Sequence, residues 1–124
     1  MRVAFHHEEN KRKPIFAGFK SPLKTLWKKG QLWNVKRGLY GDILTLENCS
    51  LEHLLPISKG GKTELSNLAL ASKEKNGLRG NLPLKDFLTR KQAVDYVVQF
   101  APHRDFRQYI NDLLRTFEKL GVLR

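Results

Sequence analysis

The sequence predicts an α+β domain: a two-stranded hairpin running directly into a helix, with one helix ahead of this core and two behind it. Three observations predict it. Residues 51–55 and 68–71 are short apolar stretches on either side of a loop carrying Gly60-Gly61, as paired strands would be. Ser72 follows the second stretch as an N-cap, and Gly80 stands where a helix of about two turns would end. After Pro83 the apolar residues change to a spacing of three and four, the helical period.

With 124 residues and 40% hydrophobic content, the chain suits one modest domain. Three parts are expected within it: residues 1–40 as a basic, aromatic segment, 41–83 as the hairpin-helix core and 84–124 as a helical pair. In the first part Ser21-Pro22 should open a helix, and Gly30 should close it. Leu23, Leu26 and Trp27 would share one face and Lys24 and Lys28 another. The stretch from Asp42 to Ser50 reads equally as a short helix or as a loop feeding the first strand. In the last part Thr89 and Gln92 form a capping box, and Ala93, Val97 and Phe100 make an apolar face. Pro102 interrupts the pattern, and His103 should be exposed in the link. Phe106, Ile110, Leu113, Leu114, Phe117 and Leu120 then form a second stripe, closed by Gly121.

Charge narrows the class of partner. Lys and Arg number 23 against 12 acids, a net +11, which suits a polyanion. The excess sits early: residues 1–40 carry Arg2, Lys11, Arg12, Lys13, Lys20, Lys24, Lys28, Lys29, Lys36 and Arg37 against Glu8 and Glu9 alone. Aromatic residues interleaved with these cations suit phosphate contact plus base stacking, although most should be core. No run of about 18 apolar residues suggests a membrane span, and no signal pattern opens the chain, so a cytoplasmic protein is expected. Cys49 is the sole cysteine, which leaves no internal disulfide and no Cys-rich zinc site, and it should serve only in packing. His6-His7-Glu8-Glu9 is too contiguous for all four side chains to converge on one ion from a regular element, and is expected to be solvated.

The chemistry concentrates at the hairpin. Hydrolysis of a phosphodiester needs a deprotonated water and a cation beside the leaving oxygen. His53, alone among the four histidines, lies among plausible oxygen ligands, and a neutral imidazole can accept the proton. Glu52 and Asn76 could serve a hard cation, which takes oxygen ligands and needs few protein groups. Asn67 could hydrogen-bond across the loop, holding its backbone or orienting the imidazole. Lys75 and Arg79, at i and i+4, would contact phosphate. Adjacent residues of a regular strand face opposite ways, so Glu52 and His53 can serve one site only if the strand ends there.

In that order, Glu52-His53, Pro56, Gly60-Gly61, Asn67 and Asn76 resemble the core of an HNH endonuclease, in the variety whose last histidine is an asparagine. The resemblance covers roughly residues 40–84. It implies a ββα-metal fold and a divalent-metal-dependent DNA endonuclease. His53 would be the general base, Glu52 and Asn76 ligands to a single Mg²⁺ (or Mn²⁺), and Asn67 the structural asparagine of the catalytic set. Lys24, Lys28, Lys29, Lys36, Arg37, Lys75 and Arg79 would grip nucleic acid. Glu52 replaces the aspartate of many members, and the cysteine pairs that brace many such hairpins with zinc are absent, so no structural zinc is expected. A monomer with one site would cut one strand; a homodimer could cut two. Two alternatives stay open: a nucleic-acid-binding module without catalysis, and a ribonuclease, since composition does not separate DNA from RNA.

Overall fold

The computed structural model describes residues 36–45 and 47–123. The expected N-terminal helix, the His6-His7-Glu8-Glu9 run and Lys24, Lys28 and Lys29 lie outside the described residues. In chain order the elements are β1 (Cys49–His53), β2 (Leu68–Ser72), α1 (Lys73–Arg79), α2 (Leu84–Phe87), α3 (Arg90–Phe100) and α4 (Arg107–Lys119), with 3-10 turns at Ile57–Lys59, Leu65–Asn67 and Arg104–Phe106. The architecture is mixed α+β. No helix among the described residues is long and apolar enough to cross a membrane.

β1 begins two residues earlier than its apolar stretch implies, because a local turn delivers the chain into it. Asn48 Oδ1 accepts from the Thr45 N–H at 2.8 Å, and Thr45 Oγ1 accepts from the Asn48 N–H at 3.1 Å. Upstream, Arg37 and Ile43 form an isolated antiparallel bridge around a turn in which Gly41 takes φ 91°. Of the segment 42–50, ambiguous in sequence, the described residues are therefore turn and strand entry.

β1 and β2 pair antiparallel, with Leu51 opposite Leu70 and His53 opposite Leu68. A two-stranded ribbon is marginal alone, because both edges expose unpaired backbone groups. Here side chains, and on β2 also one backbone N–H, cover both edges. On β1, Asn76 Nδ2 donates to the Leu51 carbonyl at 2.9 Å, and the Arg79 guanidinium donates to the carbonyls of His53 and Leu54 at 2.8 and 3.0 Å. On β2, the Leu39 N–H and the Tyr109 hydroxyl each donate at 2.8 Å, to the carbonyls of Leu70 and Leu68 respectively. The Tyr96 hydroxyl accepts from the Leu70 N–H at 3.0 Å. The helices thus brace the hairpin by hydrogen bonds as well as by packing.

The apolar side of the brace is a cluster of rings. Phe100 meets Tyr96, Phe106 and Tyr109 edge-on at centroid separations of 5.1, 4.9 and 5.4 Å, a geometry that aligns the positive ring edge with the negative face. Ala93, Val97 and Phe100 of α3 are buried, as are Leu113 and Phe117 of α4. Both stripes are therefore core, with Leu114 the exception. The buried Tyr96 and Tyr109 lie on the same faces but do not belong to a purely aliphatic pattern. Leu114 is exposed, on the far side of α4. The Thr89–Gln92 capping box forms in both directions and starts α3. His103, expected to be exposed, is half-buried and lies edge-on to Phe106 at 6.3 Å, because the 3-10 turn folds the link back onto the ring cluster.

Candidate active site

Ser72 ends β2 and caps α1, its Oγ accepting from the Lys75 N–H at 3.2 Å. This join leaves no linker, so α1 must lie against β1. On α1, Asn76 and Arg79 are three residues apart and share the face toward the strand. Asn76 is held by two bonds from Nδ2, to Ser50 Oγ at 3.1 Å and to the Leu51 carbonyl at 2.9 Å. With its amide nitrogen occupied, its Oδ1 accepts no hydrogen bond among the described residues.

Asn67 lies at the end of the 3-10 turn, immediately before β2. It is buried. Its Oδ1 accepts from the Leu55 N–H at 2.8 Å, while Nδ2 donates to the carbonyls of Leu55 and Lys62 at 3.0 and 2.9 Å. One side chain thus replaces the backbone partner that the hairpin loop lacks. Gly61 makes room for it: a Cβ there would lie 1.8 Å from the Leu55 carbonyl oxygen and 2.9 Å from Asn67 Nδ2. Asn67 holds the loop and makes no bond to His53; the ring instead meets Thr63, with Nε2 3.0 Å from Oγ1.

His53 is half-buried, and that burial lowers its pKa below the ordinary histidine value. The ring is therefore held toward its neutral form. It lines an open cleft of about 400 Å³ together with Glu52, Asn76, Pro56, Ser58 and Asn81. The three residues expected as base and ligands thus meet at one cleft, and Asn67, expected as the structural asparagine, holds its loop.

Glu52 is not a free surface carboxylate. It is buried; Tyr40 donates a hydroxyl to its Oε2, and Arg79 Nη1 lies 3.3 Å from the same oxygen. Burial pushes the Glu52 pKa up, while Tyr40, Arg79 and the His53 backbone N–H pull it back toward the charged form. Burial first, then the neighbouring Glu52 carboxylate, raises the Tyr40 phenol well beyond its ordinary range.

Arg79 requires a correction. Expected at a phosphate, it is 1% exposed and spends its guanidinium on the carbonyls of His53, Leu54 and Leu82 and on Glu52. A cation so enclosed supports the strand edge and cannot reach a polyanion. Lys75 is half-buried, and Lys36 and Arg37 are exposed. Arg37 also donates to the Gly41 carbonyl at 2.8 Å, and its backbone is clasped by the Gln99 amide.

Sequence reasoning overlooked Tyr40 and Thr63 and misread Arg79. A signal for Arg79 was present: Ser72, Asn76 and Arg79 fall at i, i+4 and i+7, on the face that a short helix joined directly to a strand must turn inward. Nothing local marks Tyr40 as the partner of a residue twelve positions later.

No group of three or more His, Cys, Asp or Glu side chains converges on a common point among the described residues. A site for a hard cation here would rest on few protein oxygens. Asn76 Oδ1 and a Glu52 carboxylate oxygen fit that description, because Mg²⁺ keeps several waters and needs only one or two protein groups beside a phosphate. The chain matches no family model, no curated protein and no solved structure.

Proposed function

We propose that the protein is a divalent-metal-dependent endonuclease acting on DNA, with the ββα-metal hairpin of HNH enzymes as its catalytic core. The observation that carries this reading is the cleft in which His53, kept toward its neutral form by burial, opens beside Glu52 and the oriented amide of Asn76. The resemblance in sequence adds the order of those residues.

In this mechanism His53 takes a proton from a water as its oxygen attacks phosphorus, and the bond from phosphorus to the 3′ oxygen breaks. The products carry a 5′-phosphate and a 3′-hydroxyl. Glu52 and Asn76 would hold Mg²⁺ or Mn²⁺, whose charge would stabilise the leaving oxygen. Asn67 keeps the loop in place, so that the base and the ligands stay on one side of the cleft. Arg79 offsets much of the Glu52 charge, so the protein alone should bind the cation weakly; the substrate phosphate adds the missing negative charge. Lys36 and Arg37, with the early run of cations that includes Lys24, Lys28 and Lys29, supply grip on the backbone.

Cleavage of supercoiled plasmid in Mg²⁺ or Mn²⁺, beside an EDTA control and His53→Ala, tests the reading. Metal-dependent nicking that the substitution abolishes supports it; unchanged nicking in His53→Ala refutes the base assignment. The same assay on RNA separates a ribonuclease. The Arg79–Glu52 pair favours a second reading, a nucleic-acid-binding module whose carboxylate has become structural. Salt-sensitive binding without cleavage of either polymer would select it.

A further inference from the structure

We infer that Thr63 is the positioning residue for His53, holding the imidazole as the Nε2–H tautomer so that Nδ1 carries the lone pair that accepts the proton from water. This deepens the nuclease reading and rests on it for the choice of tautomer as well as for its kinetic consequence. The observation is a chain of contacts from the loop to the ring. Gly61 leaves room for Asn67, and Asn67 Nδ2 pins the Lys62 carbonyl at 2.9 Å. The next residue is Thr63, whose Oγ1 lies 3.0 Å from His53 Nε2.

A threonine hydroxyl can donate or accept, so the contact alone is compatible with either tautomer. The role of base proposed for His53 selects one. A hydroxyl that donated to Nε2 would occupy the lone pair and leave Nδ1 protonated, and neither nitrogen could then take a proton. A hydroxyl that accepts from Nε2–H leaves Nδ1 as the free acceptor. The ring nitrogen that works is set by the bond its partner nitrogen makes.

The loop thus has a role that its Gly-Gly sequence does not suggest. Asn67 acts on the base at one remove, through the backbone that carries Thr63. Thr63 itself is exposed, so replacing it removes the contact without opening the core.

The test uses the full chain labelled with ¹⁵N, without metal, at a pH where the ring is neutral. Nitrogen shifts of His53 should show a protonated Nε2 and an unprotonated Nδ1 in the wild type and in Thr63→Ser. In Thr63→Val, which keeps the shape and lacks the hydroxyl, they should move toward a mixture of tautomers. On DNA, Thr63→Val should lose about tenfold or more in kcat, as misoriented catalytic groups do, with KM within about twofold, and Thr63→Ser should recover most of the loss. A protonated Nδ1 in the wild type, or wild-type nitrogen shifts and kcat in Thr63→Val, would overturn the inference. The two readings fail separately. Wild-type protein that cleaves nothing yet shows the expected tautomer refutes the nuclease and leaves the positioning intact; a wild type that cleaves beside an indistinguishable Thr63→Val refutes the positioning alone.

Discussion

Adding one methyl group at Gly61 should destabilise the domain more than adding one at either Gly60 or Gly77, and the structure gives the size of each effect. At Gly61 the new Cβ would lie 1.8 Å from the Leu55 carbonyl oxygen and 2.7 Å from its carbon. Both are backbone atoms, so the loop must open. The three hydrogen bonds that Asn67 makes across it, two to Leu55 and one to Lys62, would then be lost. At a net ~1 kcal/mol each, Gly61→Ala costs about 3 kcal/mol. Gly60 has φ 96° with open space around it, so Gly60→Ala meets only backbone strain, roughly 1–2 kcal/mol. Gly77 sits within α1, with nothing within 4 Å of the new Cβ. Gly77→Ala should stabilise by about 0.5–1 kcal/mol through helix propensity. Urea unfolding followed by circular dichroism measures all three. Asn67→Ala removes the same bonds, so the double variant with Gly61→Ala should cost little more than either single change. A Gly61→Ala protein no less stable than Gly60→Ala, or fully additive effects in the double variant, would refute the clamp.

Three further outcomes are expected. Arg79→Leu should cost about 3–5 kcal/mol, because it strands the buried Glu52 carboxylate and the carbonyls of His53, Leu54 and Leu82; adding Glu52→Gln should recover part of that loss, and denaturant melts compare the two. Cys49 is fully buried, and burial raises its thiol pKa far above the ordinary value, so a thiol reagent should label it at the rate of unfolding, with protection lost in denaturant. His53 should titrate below about 6.5 in a proton NMR experiment on the metal-free protein. Because its folded pKa is depressed, the unfolded chain binds the proton first as pH falls. The stability His53 contributes is therefore complete above pH ~6.5 and is lost as pH drops toward the lowered value. A midpoint above 7 would contradict the burial of the ring.

What the sequence determined by itself was local. The Thr89 capping box, the Ser72 cap, the glycine turn and the two 3.6-period stripes depend on residues within a few positions of one another, and each took the expected form apart from Leu114, which is exposed. The meeting of His53, Glu52 and Asn76 at one cleft was also legible, because a strand, a loop, a strand and a directly joined helix have few ways to fold. The tertiary structure decided the assignment of polar side chains. Arg79 and Lys75 are both cations one helical turn apart, and only the packing of α1 on β1 turns one inward to Glu52 and leaves the other half-exposed. Tyr96 and Tyr109 look like ordinary aromatic core, yet their hydroxyls complete the edge of β2. Thr63 reaches His53 only because a clamp closes the loop between them. Apolar burial follows periodicity, which a sequence displays, whereas a hydrogen bond depends on where two groups distant in sequence arrive after the chain has folded.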